Sequence, residues 1–187
     1  NQVVSKRLQI SLLASPTMQQ GLLSTPFHRV YDQSSNLMHE KLPNSRIKMP
    51  LGIRANYFLG NRMVLRMHYR YYMDNWAVTG HTVNVELPIK VSERLTISPY
   101  ARYHEQTAAD NYAPFEMHMT NAEFRTSDID LSALNSLFAG LHFRYQKLNG
   151  FWGIDKWNKI ELRTGFYTQS TGRTAQIISI GTGYSIK

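Results

Sequence analysis

Apolar and polar residues alternate along eight segments of this chain, and the connections between them alternate between long and short. The clearest segment runs from Ile47 to Leu59. Ile47, Met49, Leu51, Ile53, Ala55, Tyr57 and Leu59 share one parity, and Lys48, Pro50, Gly52, Arg54, Asn56 and Phe58 share the other. Successive side chains of a strand point to opposite faces, so the pattern predicts a ribbon with one apolar and one largely polar side. The same reading predicts strands at Val3–Leu13, Arg62–Met73, His81–Val91, Arg94–Gln106, Leu137–Lys147, Lys159–Gln169 and Gln176–Ile186.

Gly60-Asn61 predicts a hairpin reversal, and Ser92-Glu93 a short turn. Ala14–Ser45 and Thr107–Asn135 are long loops rich in polar and turn residues. The two very long connections both follow odd-numbered strands, which puts long loops at one end and short turns at the other. That is the layout of an antiparallel up-and-down transmembrane β-barrel with extracellular loops and periplasmic turns. The expected fold is therefore all-β, with eight strands in one barrel domain over residues 1–187 and both chain ends at the turn side. Tyr69, Tyr71, Tyr103 and Phe166 fall toward the loop rim, and Tyr57, Tyr145 and Tyr184 toward the turn rim. Two such girdles suit a bilayer, because a ring with a polar tip fits the headgroup region. A soluble barrel with its apolar side inward is the alternative, and the arginines on the polar parity fit it less well.

Composition narrows this picture. Hydrophobic residues make up 42% of the 187 and the mean hydropathy is −0.38. No run approaches the roughly 18 apolar residues of a membrane-spanning helix, a test that a barrel strand need not pass. The absence of cysteine excludes disulfides and thiolate metal sites. A net charge of +8 fits a basic lumen or contact with anionic headgroups. No helical basic stripe or stacking motif accompanies it, so no nucleic-acid partner is expected. Asn1 begins directly in a strand-like pattern, which predicts a mature or partial chain.

The polar parity carries the candidate chemistry. Arg54, Arg66, Arg70, Arg102, Arg144 and Arg163, with Arg7 and Lys90, are expected to face inward, against Glu86 and Glu161. In a narrow barrel such groups must pair and fill the interior; in a wide one they line water and favour anions. His68, His104 and His142 are expected among them as hydrogen-bonding groups. Asp74 and Asp110 stand where they could receive Arg70 and Arg102 as a latch across the mouth, with Trp76 and Tyr112 packed in the folded loops. Glu116 with His118, and His39 with Glu40, are metal-ligand types without the spacing of a zinc site. His81 at the rim has no serine or acidic partner specified, and the chain has no phosphate loop or nucleophile elbow. No enzymatic activity, metal or cofactor is expected.

Four stretches carry a resemblance. They are Gly21-Leu22-Leu23-Ser24-Thr25-Pro26-Phe27-His28-Arg29-Val30; Pro43-Asn44-Ser45-Arg46; His68-Tyr69-Arg70-Tyr71-Tyr72-Met73-Asp74-Asn75-Trp76; and the run from Ser98-Pro99-Tyr100-Ala101-Arg102-Tyr103-His104-Glu105 through Tyr112. Together they resemble the domain-of-unknown-function 3570 family of Gram-negative outer-membrane β-barrels. The resemblance implies an outer-membrane location and contact with outer-membrane lipid, and it supplies no catalytic residues. Family members are about twice as long, which implies the C-terminal half of a barrel of about sixteen strands. Gly181-Thr182-Gly183-Tyr184-Ser185-Ile186 is similar to a barrel-assembly signal, but departs from it at Ile180 and Lys187. The function expected is a channel or an export or uptake conduit with a basic lumen. The alternative is a plugged, non-transporting barrel that holds a protein partner through its long loops.

Overall fold

The computed structural model describes residues 2–25, 27–147, 150–151, 154 and 156–184. The chain is all-β and antiparallel. Among the described residues one helical turn occurs, a 3₁₀ turn at Ile129–Leu131, capped by the Asp128 side chain, which accepts from the Asp130 N–H.

Ten strands make one large sheet: β1 (Gln2–Ser5), β2 (Leu8–Ala14), β7 (Leu51–Leu59), β8 (Met63–Met73), β9 (Thr79–Glu86), β10 (Ile89–Lys90), β11 (Leu95–Gln106), β12 (Leu134–Gln146), β13 (Trp157–Gln169) and β14 (Thr174–Tyr184). β9 and β10 both lie between β8 and β11, as two pieces of one strand broken at Leu87-Pro88. Proline cannot donate to a ladder, which accounts for the break. The path ends at β1 and β14, which do not pair with each other among the described residues. Among the described residues the structure is thus a large antiparallel sheet, as expected, of ten strands rather than eight and without closure into a barrel of its own.

Two predicted strands divide. Val3–Leu13 is a hairpin, because Ser5 Oγ accepts from the N–H groups of Arg7 (3.2 Å) and Leu8 (3.1 Å) and turns the chain. Arg7 therefore sits in a turn rather than on the polar face. β1 also runs toward the turn end, with Gln2 opposite Ile10 midway along β2, so the described chain does not begin at the turn side. Ile47–Leu59 breaks at Met49-Pro50 into β6 (Ser45–Lys48) and β7, and β6 pairs with β3 (Thr17–Gln20). The end of the last predicted strand, at Ile186, and part of the 148–158 connection lie outside the described residues.

Turns at 6–7, 60–62 and 91–94 occupy one end of the sheet. The segments 15–50, 74–78 and 107–133 gather at the other. There β4 (Arg29–Tyr31) pairs with β5 (Leu37–His39). Reciprocal bonds tie Lys41 to Arg125, at 3.0 and 2.7 Å, stitching the first long loop to the second. The core lies in this cap. Leu42, Trp76, Val78, Ala109 and Leu131 form one buried cluster, joined by Leu23, Tyr72 and Tyr112.

Candidate functional site

Cross-strand register fixes which side chains share the polar face, because directly opposed residues of an antiparallel pair point to the same side. Arg54 lies opposite His68, His68 opposite Asn84 and Asn84 opposite Arg102. Arg66 faces Glu86, Arg70 faces Thr82 and Thr82 faces His104. His142 faces Arg163, and Arg144 faces Glu161. Arg54, Arg66, His68, Arg70, Glu86, Arg102, His104, Arg144 and Arg163 thus share one side of the sheet.

Two carboxylates organise the turn-side half of that face. Glu86 meets Arg66 (3.6 Å) and His142 (3.8 Å). His142 also reaches Glu161 (3.8 Å), which holds Arg144 at 2.6 Å and Lys159 at 3.6 Å. Between the two acids stands Tyr100, whose hydroxyl donates to the Thr164 carbonyl (3.2 Å) beneath the Arg163 guanidinium, 4.2 Å from the ring centre. The ring needs the paired glycines Gly140 and Gly165 below it. A Cβ on Gly140 would lie 2.0 Å from the Thr164 carbonyl and 2.8 Å from the Tyr100 hydroxyl. Nearer the loops, Thr82 bonds His104 (2.9 Å), His104 bonds Gln106 (3.2 Å), and Gln106 donates to the carbonyls of Asp130 and Ser132 (2.9 Å each). That chain joins the sheet to the second long loop.

The rim latch has other partners than those expected. Asp74 is bound by Arg46, not by Arg70: Arg46 Nε donates at 2.7 Å and Nη2 lies at 2.5 Å. Tyr72 Oη (2.7 Å) and the N–H groups of Trp76 (2.9 Å) and Val78 (3.0 Å) also donate to Asp74. The Arg46 guanidinium lies 4.4 Å over the Trp76 ring, and Trp76 Nε1 donates to the Ser45 carbonyl. Sequence reasoning missed Arg46 because β6 approaches the 74–78 turn from a distant stretch. Arg70 instead lies 5.7 Å from the Tyr72 ring. Asp110 is exposed, and its backbone N–H, not its carboxylate, makes the tie, donating to the Trp76 carbonyl.

Two further acids are buried in the cap. Glu40 accepts from the Thr25 N–H and the Thr126 hydroxyl, both at 2.5 Å, and meets His28 Nδ1 at 3.3 Å. Asp32, with no exposed surface, accepts from the N–H groups of Ser34 and Asn36, the Asn36 amide and the Thr120 hydroxyl. The Asn36 amide foremost, ahead of the other donors, holds the Asp32 carboxyl down at about 2 against the opposing effect of burial. The Asx turn at Asp32-Gln33-Ser34, whose carboxylate accepts from the N–H two residues on, was the available signal. His118 is buried, and its Nε2 lies 3.1 Å from the Thr126 carbonyl and 3.2 Å from Ser127 Oγ. Burial, then Arg125, pushes its imidazole below the ordinary value. Glu116 accepts from Ser35, and the His39 carbonyl accepts from Arg125. Among the described residues no three His, Cys, Asp or Glu side chains come together as a metal site.

The aromatic positions lie on the opposite, apolar face. Tyr57, Tyr69, Tyr103, Tyr145, Phe166 and Tyr184 are exposed, and Tyr71 is half-buried against His81. His81 accepts or donates one bond, to Tyr69 Oη at 2.8 Å.

A family model described as a protein of unknown function, DUF3570, matches residues 1–186. The chain belongs to the DUF3570 family. Comparison with curated proteins and with solved structures finds no match. In this DUF3570 chain, two of the stretches that carry the resemblance lie in the cap, and the other two run from β8 and β11 into it. Ser24 accepts from the Leu42 N–H (2.7 Å), Thr25 and His28 bind Glu40, and Arg46 meets Asp74 and Trp76.

Proposed function

We propose that this chain forms the wall of an outer-membrane β-barrel of a Gram-negative bacterium, whose polar face lines a basic, water-filled conduit for anions. One observation carries the membrane part. Among the described residues, of the buried apolar ones only Tyr100 lies in the large sheet, while none of the sheet's apolar face is buried. Met63, Met67, Tyr69, Val83, Val85, Tyr103, Leu137, Leu141, Leu162 and Phe166 on that face are exposed. Soluble monomers rarely leave so large a contiguous apolar surface open, and lipid is the neighbour that costs it nothing. From Met63 to Tyr71 the face runs nine residues of β8, about 26 Å over the steps between them at the usual rise of about 3.3 Å per residue, enough for a tilted spanning strand. Closure of the barrel needs strands added at the edges β1 and β14.

The conduit part rests on charge. Seven cations of the polar face, Arg54, Arg66, Arg70, Arg102, Arg144, Lys159 and Arg163, outnumber Glu86 and Glu161. A second reading, a plugged barrel that serves as a scaffold, draws on the folded cap with its own core. Single-channel recording of the intact protein in a planar bilayer separates the two. A stable anion-selective current supports the conduit. Silence from protein that shows a folded, heat-modifiable gel mobility overturns the conduit and leaves the scaffold.

A further inference from the structure

We propose that the cleft between β2–β3 and β7–β8 binds a phosphoryl group of a soluble solute, held by Lys48, Arg54 and Arg70. The proposal rests on the reading of the polar face as a water-filled surface and names what that surface recognises.

The cations of the polar face are not alike. Toward the turns, Arg66, Arg144 and Lys159 each lie against a carboxylate. Toward the loops the pattern changes. Lys48, Arg54 and Arg70 line one cleft of about 420 Å³ with His68, and none of the three is within ion-pair distance of a carboxylate among the described residues. No acid lines the cleft. The carboxylate beside it in the fold is Asp74, in a backbone bridge with Lys48, but its side chain is fully buried and is taken by Arg46, Tyr72 and two N–H groups. The Asp74 carboxylate is thus taken up by its own donors, lines no part of the cleft and acts on Lys48 only as a nearby charge.

The backbone opens the space. In the row Leu13–Gly52–Arg70, the middle residue has no side chain. A Cβ there would come within 3.2 Å of His68 Nε2 and 3.3 Å of the Tyr69 carbonyl, so the glycine leaves a floor. Ser15 and Thr17 add hydroxyls to the wall. Gathering like charges without a counter-charge is unfavourable unless an anion completes the set. Two guanidinium forks match phosphate oxygens in pairs, which a monatomic anion cannot exploit. The volume exceeds that of one phosphate, so the class is an organic phosphate or a phosphoanhydride, with pyrophosphate as the probe. A phosphate-headed lipid offers the same chemistry. The register, however, places Gly52, Arg54, His68 and Arg70 of the cleft on the polar side of β7 and β8, opposite the apolar face of Ile53 and Tyr69, and of that face only Leu51 reaches the cleft wall. The ligand therefore comes from solution.

The test is calorimetric titration of pyrophosphate into the intact protein in maltoside micelles at fixed ionic strength. Saturable binding is expected, weakened at least about tenfold by Arg54→Gln and by Arg70→Gln, the loss of a charge-assisted bidentate contact. Lys159→Gln, which removes a cation bound to Glu161 outside the cleft, should change the dissociation constant by less than about twofold. Arg54→Lys keeps the charge and removes the fork, so it guards against a glutamine variant that does not fold; it should also weaken binding. Absence of saturable binding, or an equal loss in Lys159→Gln, overturns the site. Displacement of pyrophosphate by phosphatidic acid in the micelle overturns the solution source. The readout needs no current. Saturable binding with a silent bilayer removes the conduit and keeps the site, and a conducting barrel without binding does the reverse.

Discussion

The sheet and the loop cap are stabilised in opposite ways. In the sheet, long ladders carry the structure: β11 and β12 pair continuously from Leu95 opposite Tyr145 to Gln106 opposite Leu134. Its apolar side covers nothing. In the cap, pairing is short, with three residues in β4 and three in β5. Yet Val30, Leu42, Trp76, Val78, Ala109 and Leu131 are buried there. The cap is organised as a water-soluble protein is, with an apolar core and buried carboxylates held by donors. The sheet satisfies its backbone through its ladders and leaves its apolar side exposed. The two regions are thus held by different interactions, and each can be perturbed without the other.

The largest effect is expected from Arg46→Leu. Asp74 is fully buried and the Arg46 side chain is 16% exposed, so the change strands a carboxylate beneath the cap. Breaking such a pair costs about 3–5 kcal/mol. Proteolysis should then cut within 15–50 and 107–133, while the sheet keeps its ladder protection in hydrogen exchange. Loss of protection in both regions together would end the separation.

Next comes Val85→Arg. Val85 is exposed midway along the apolar face, between Met67 and Ala101. In water this change is close to neutral. In a bilayer an arginine at that depth costs about 2–4 kcal/mol. Urea titration of the variant reconstituted in vesicles should show the larger cost. A neutral result there counts against the lipid-facing assignment.

Acid should loosen the cap in two steps. The His118 imidazole is lower in the folded protein than its free value of about 6.5. The unfolded chain therefore binds more protons below that pH, and stability falls as pH drops through 6.5 toward the folded value. The Asp32 carboxyl, at about 2 when folded, adds a second loss between about 4 and 2. Protease sensitivity of the cap, read from pH 8 to pH 3, should rise in that order, and His118→Gln should remove the first step. A cap equally resistant throughout contradicts both assignments.

Much of the sheet was legible in the sequence because period-two alternation survives wherever the two faces of a strand differ in polarity. The first hairpin was not, although its signal recurs. Ser5-Lys6-Arg7-Leu8 and Ser92-Glu93-Arg94-Leu95 turn the chain in one way, with the serine Oγ accepting from the third and fourth N–H groups. The second copy is flanked by clear strands, while in the first only Lys6 interrupts the alternating run that surrounds the turn. Register then brought the predicted polar residues to one face. The nodes of the cap were not legible, since Glu40 with Thr126 and Arg46 with Asp74 join residues far apart in the chain. No local period encodes such contacts.

The smallest effect sharpens the comparison most. Had Arg70 held Asp74, Arg70→Leu would strand a carboxylate, as Arg46→Leu does. The structure gives Arg70 no carboxylate partner among the described residues, and the residue is exposed. Removing it deletes one of three like charges in the cleft, so repulsion falls. Stability should change by less than about 1 kcal/mol, and could rise, as for other exposed charges. Denaturant midpoints of Arg70→Leu and Arg46→Leu, measured side by side, check this. A loss in Arg70→Leu as large as that in Arg46→Leu would return Arg70 to the latch. A small change together with lost pyrophosphate binding would mark Arg70 as a residue kept for its ligand at the expense of the fold.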